Sequence, residues 1–218
     1  MKIKICGLTR PEDAQLASEL AAWALGFIFV SRSPRCVSED QVQKILLSLG
    51  SDKKSLAVGV FADHSVEQIL HLYQKLKLDG VQLHGSEDPD YCKELYNQLY
   101  AFKKPAVFIK ALSIENLSEF KKYQEAVTDI LPLLDSKVKH SENNQMVEQF
   151  GGTGVTVDWG QAASLNIKPL ILSGGLDAEN ILAAVTEVQP WAVDVSSGVE
   201  DSPGVKSSSK LKKLFAAL

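Results

Sequence analysis

The chain has 218 residues, 45% of them hydrophobic, and 23 basic side chains against 27 acidic ones give a formal charge of −4. That length and apolar content allow one substantial core, and the absence of a dense Lys/Arg cluster excludes a nucleic-acid or membrane-surface patch, so any anionic ligand must be held by local geometry. Three widely spaced cysteines, Cys6, Cys36 and Cys92, form no CxxC pair, which argues against zinc or any other metal and for reduced thiols in a cytoplasmic protein.

The N-terminal Met1-Lys2-Ile3-Lys4-Ile5 lacks the apolar stretch of a signal peptide, and the longest apolar run, residues 23–30, is too short to cross a bilayer. A soluble, unprocessed chain is expected. From there, short runs rich in Val, Ile, Leu and Phe alternate with longer segments of helical period, the pattern of parallel strands covered on both faces. Strands are predicted at residues 2–6, 24–30, 56–61, 80–84, 107–111, 130–135, 169–173 and 192–196, each followed by a loop and a helix. Pro11 with Glu12, Ser38 with Glu39 and Asp40, Ser65 with Glu67, and Asp177 with Glu179 mark helix starts.

Eight such units predict an α/β chain folded as one (β/α)8 TIM barrel over residues 1–218, with an open doubly wound sheet as the structural alternative. The polar stretch 137–150 breaks the rhythm and reads as a long surface loop, bounded at about 136–153, of the kind that forms a lid or stays disordered.

Barrel active sites form at the carboxyl ends of the strands. Those positions hold Cys6-Gly7, Ser33-Pro34-Arg35, His84-Gly85, Asp135, Gly174-Gly175 and Asp194-Val195-Ser196-Ser197-Gly198. The last two turns are glycine-rich and follow adjacent strands, which suits phosphate binding through backbone amides, although each glycine alone is also an ordinary turn residue. Cys6 reads equally as a small buried hydrophobe, and Asp135 as a helix cap or a catalytic acid. Arg35 is a loop charge, a partner of Asp194 or a ligand contact; His84 is a satisfied strand-end residue or a ligand contact; Cys36 and Cys92 look structural.

Taken in order, Lys4-Ile5-Cys6-Gly7-Leu8-Thr9, Gly26-Phe27-Ile28-Phe29, Ser33-Pro34-Arg35, Gly80-Val81-Gln82-Leu83-His84-Gly85, Leu134-Asp135-Ser136-Lys137, Gly151-Gly152-Thr153-Gly154, Leu172-Ser173-Gly174-Gly175-Leu176 and Asp194-Val195-Ser196-Ser197-Gly198-Val199-Glu200 resemble the phosphoribosylanthranilate isomerase family across nearly the whole chain. The resemblance implies a cofactor-independent, aldose–ketose type isomerase of tryptophan biosynthesis that performs an Amadori rearrangement of N-(5-phosphoribosyl)anthranilate. It implies Asp135 as the acid that protonates the ring oxygen and Cys6 as the thiolate that removes the C2 proton. The thiol would need only modest tuning, and Asp135 would be kept protonated by burial and a neighbouring carboxylate such as Asp194.

The resemblance further implies that Arg35, Asp194 and His84 contact the substrate, Arg35 through the anthranilate carboxylate, while Gly154, Gly174, Gly175, Ser196 and Ser197 anchor the phosphate. The implied partner is a small phosphorylated molecule, with no nucleic acid and no membrane, for a monomer or homodimer. Trp23 stands where the family commonly has Asp, Val155 where Lys is usual, and residues 137–150 are longer than the typical connection. Two rivals are a histidine-pathway barrel with the same chemistry, which needs Asp where Cys6 stands, and a silent phosphate-binding barrel.

Overall fold

The computed structural model describes residues 1–50, 53–135 and 158–218. The polar stretch 137–150, with Gly151, Gly152, Gly154 and Val155, lies outside the described residues.

Strands β1 (Lys2–Cys6), β2 (Ala24–Ile28), β3 (Leu56–Phe61), β4 (Gly80–Leu83), β5 (Val107–Leu112), β6 (Ile130–Leu134), β7 (Ile171–Leu172) and β8 (Ala192–Val195) pair side by side in sequence order. The return pairing of β8 on β1, parallel like the others, closes the barrel and removes the open-sheet alternative. Alternation along each strand makes two cores from one sequence pattern. In β5, Val107, Ile109 and Ala111 join Ala24, Val58 and Leu133 inside the barrel, while Phe108 and Leu112 pack outward in the layer that includes the helices.

Helices α1 (Pro11–Glu19), α2 (Glu39–Ser48), α3 (Val66–Lys75), α4 (Pro89–Phe102), α5 (Phe120–Ala126), α6 (Trp159–Ser164), α7 (Ile181–Val188) and α8 (Ser208–Ala216) follow strands, as the pattern requires. Pro11 opens α1, Ser38 accepts from Gln41 N at the start of α2, and Ser65 forms a reciprocal capping box with Gln68 at α3. The expected start of α7 at Asp177 is displaced: Asp177 Oδ1 accepts from Glu179 N and Asn180 N, which stabilises a separate turn before the helix begins at Ile181.

Two further differences have local causes. The seventh strand is shorter than residues 169–173, consistent with Pro169 lacking a ladder donor. After β8, a 3-10 turn (Ser197–Val199) leads into an unanticipated antiparallel hairpin, β9 (Glu200–Ser202) and β10 (Val205–Lys206), around Pro203-Gly204.

The amino-terminal end of the barrel carries the Trp23 departure. Trp23 stacks edge-on against Trp191 with ring centroids 5.1 Å apart, and Lys2 Nζ sits 3.7 Å from the Trp191 centroid. An aromatic pair capped by a cation thus occupies the end opposite the candidate site.

Candidate active site

The alternation that builds the interior core also aims the chemistry. Ile3 and Ile5 pack outward, so Lys4 and Cys6 of β1 face inward. In the same way Gln82 and His84 follow the inward face of β4, Asp135 extends the Leu131, Leu133 face of β6, and Asp194 and Ser196 extend the Ala192 face of β8.

Cys6 is buried. Burial pushes its thiol up, and the Lys4 and Lys206 ammonium groups, opposed by the Asp194 carboxylate, do not cancel that effect. The expectation of modest tuning is therefore corrected: withdrawal from water dominates at this cysteine. Lys4 is wholly buried, with Nζ 2.9 Å from both carboxylate oxygens of Asp194. Burial would pull Lys4 down, but Asp194 and Cys6 outweigh it and hold the ammonium above its ordinary value. The ion-pair partner of Asp194 is thus Lys4 rather than Arg35, which pairs with Glu200.

Arg35, in the loop after β2, is buried and forked onto Glu200: Nε lies 2.9 and 3.1 Å from the two oxygens and Nη2 lies 2.6 Å from Oε2. Burial would raise the Glu200 carboxyl, yet its bonds to Arg35 and Lys206 bring it below the usual range. Lys206 Nζ spends its donors on Glu200 Oε1 at 2.7 Å, the Cys6 carbonyl at 2.6 Å and the Ser196 carbonyl at 3.1 Å. The hairpin thereby ties the ends of β1 and β8 together.

Across the rim, His84 Nε2 lies 3.1 Å from Asp135 Oδ2, and Gln82 Nε2 lies 3.0 Å from His84 Nδ1. If the Gln82 amide donates to Nδ1, the imidazole carries its proton on Nε2 and donates to the carboxylate. The structure thus joins His84 to Asp135.

The turns after β7 and β8 are in contact: a Cβ at Gly198 would stand 2.0 Å from the Leu176 carbonyl oxygen. Gly174 and Gly175 have φ of 94° and 63°, in the left-handed region that glycine enters at least cost. The buried Ser196 hydroxyl has no hydrogen-bond partner among the described residues. Cys92 is core, its thiol pushed up to about 12 by burial, whereas Cys36 is exposed in the loop before α2, so only one of the two is a packed structural thiol.

Lys4, Glu200 and Lys206 were not singled out from the sequence. Lys4 carried a signal, since a lysine two residues before Cys6 in an apolar strand shares its inward face. Pro203-Gly204 similarly marks a turn that returns Lys206 to the rim.

A closed parallel barrel with a thiol, a histidine–carboxylate pair and two glycine-bearing turns around its carboxyl rim defines a (β/α)8-barrel enzyme. The family model described as N-(5'phosphoribosyl)anthranilate (PRA) isomerase matches residues 3–217. The N-(5'-phosphoribosyl)anthranilate isomerases of Nostoc punctiforme and Rippkaea orientalis are 41% and 38% identical, covering all of this chain and 98% and 96% of theirs. The solved phosphoribosyl anthranilate isomerase of Thermotoga maritima superposes with a TM-score of 0.82 at 33% identity, over 100% of this chain and 98% of that one. Another, solved with reduced 1-(o-carboxyphenylamino)-1-deoxyribulose 5-phosphate, gives 0.80 at 31%, over 100% and 97%. The chain belongs to the N-(5'-phosphoribosyl)anthranilate isomerase family, and its enzyme class is isomerase.

Proposed function

We propose that the chain converts N-(5'-phosphoribosyl)anthranilate into 1-(o-carboxyphenylamino)-1-deoxyribulose 5-phosphate in tryptophan biosynthesis, as a cofactor-independent intramolecular oxidoreductase of the cytoplasm. The observation that carries this reading is the inward-facing Cys6 on the same rim as the His84–Asp135 pair, in a chain whose full-length relatives bear that name. Asp135 gives a proton to the ring oxygen as the C1–O bond breaks and the amine nitrogen forms an iminium. Cys6 then takes the C2 proton, leaving an enolamine that tautomerises to the ketone.

With one edge of Arg35 held by Glu200, the end formed by Nη1 and Nη2 is left to meet the anthranilate carboxylate. Asp194 and His84 bound the substrate from β8 and β4. The Ser196 hydroxyl, Ser197, Gly174 and Gly175 receive the phosphate, as does Gly154 beyond the described residues. Assembly as a monomer or a homodimer both fit, since a Thermotoga maritima relative is described in monomers generated from a dimer.

Cys6→Ser and Asp135→Asn are each expected to lower kcat by about 10²-fold or more while product binding stays near wild type. Steady-state kinetics and product titration measure both, and wild-type turnover by either variant removes that residue from its role.

A further inference from the structure

We propose that Lys4, oriented by Asp194, is a positioning residue for Cys6, its ammonium standing against the thiol to hold the thiolate. The inference rests on the reading of Cys6 as the base.

Donor arithmetic selects Lys4 among the charged groups around Cys6. An ammonium has three N–H donors. Those of Lys206, from β10, are matched by three oxygens, one of them the Cys6 carbonyl rather than its sulfur. Lys4 spends two on the Asp194 carboxylate of β8, which leaves a third. Asp194 is itself anionic and repels a thiolate, and β2 contributes only Gly26 at this point.

Gly26 supplies the geometry. A Cβ built there would stand 2.8 Å from Cys6 Sγ and 3.2 Å from Lys4 Nζ, so the sulfur and the ammonium border the same small space, which any side chain at 26 would fill. The missing Cβ lets the two groups face each other. On losing its proton, Cys6 gains a charge-assisted bond from the third Lys4 donor, while Asp194 keeps the ammonium from turning away. A buried ion pair is often matched or bettered in stability by apolar side chains of similar size, and the interior already holds apolar residues such as Ala24, Val58 and Ala192. Stability alone therefore does not account for a lysine here. The mutual attraction of Lys4 and Cys6 acts in the expected sense on both groups.

The test reads the thiol directly. In a Cys36→Ser protein, thiolate absorbance near 240 nm is followed against pH, with the additional Cys6→Ser variant subtracted as baseline; Cys92, pushed up to about 12, stays outside the window. Lys4→Met is expected to raise the Cys6 midpoint by about one pH unit or more, with roughly tenfold less thiolate at a given pH below it. The basic limb of the kcat profile moves with it and KM stays put.

Because Lys4→Met leaves Asp194 buried without its partner, Lys4→Met/Asp194→Leu is measured beside it, with folding checked by circular dichroism. Its midpoint is expected to move up by a smaller amount. An unmoved midpoint in a folded variant overturns the proposal. Wild-type turnover by Cys6→Ser would instead sink the base assignment while leaving the midpoint comparison intact.

Discussion

Arg35 reaches the rim with its charge already answered by Glu200, and this sets what its removal does. The side chain is buried and forked, so Arg35→Ala deletes a preorganised donor edge while leaving Glu200 bonded to Lys206. With a charged hydrogen bond worth about 1.5–3 kcal/mol, KM is expected to rise by roughly tenfold to a hundredfold, with a smaller change in kcat. An unchanged KM in steady-state kinetics contradicts the anthranilate contact. At this scale the sequence was legible wherever a residue followed an apolar run, which is how Cys6, Arg35, His84, Asp135 and Asp194 were found. It was illegible in pairing: that Asp194 meets Lys4, and Arg35 meets Glu200, depends on the closure of β8 on β1 and on the return of the hairpin, neither of which local spacing encodes.

Among the elements, the loop between β4 and α4 shows how a rim residue is held in place. Glu87 is buried; its carboxylate accepts from Asp63 N at 2.9 Å, Gly85 N at 3.0 Å and Lys110 Nζ at 2.8 Å, bracing the segment that follows His84. Glu87→Ala strands the Lys110 ammonium, and a loss of about 3–5 kcal/mol is expected in denaturant unfolding. A loss below about 1 kcal/mol would mean that the bracing contributes little. The capping box at Ser65 is a smaller test, with Ser65→Ala expected to cost about 1 kcal/mol in the same experiment. Strand positions and most helix starts were readable from the period of apolar residues and from Ser and Pro signals. The β9–β10 hairpin was not, because its strands are too short to establish a period.

Over the whole molecule, several carboxylates share one direction of response to acid. Burial works to raise Glu200, Asp79 and Asp63, but ion pairs and hydrogen bonds leave each below its ordinary value. A group depressed on folding adds stability above its unfolded pKa, and that contribution is lost as pH falls through the folded value. With ordinary carboxyl values near 3.9–4.3, the denaturant midpoint is expected to be steady from about pH 7 to 5 and to fall below that. A midpoint that stays level down to about pH 3 would contradict this account of the ion pairs. The barrel itself was legible as eight alternating units, although its closure required β8 to be seen on β1.

Whether this barrel rearranges a phosphoribosyl amine is tested by the decay of fluorescence of freshly generated N-(5'-phosphoribosyl)anthranilate on adding purified protein, run beside Asp135→Asn. Rapid decay with wild type, lost in a folded Asp135→Asn protein, is the predicted result. No decay beyond the spontaneous rate with folded wild type would contradict it.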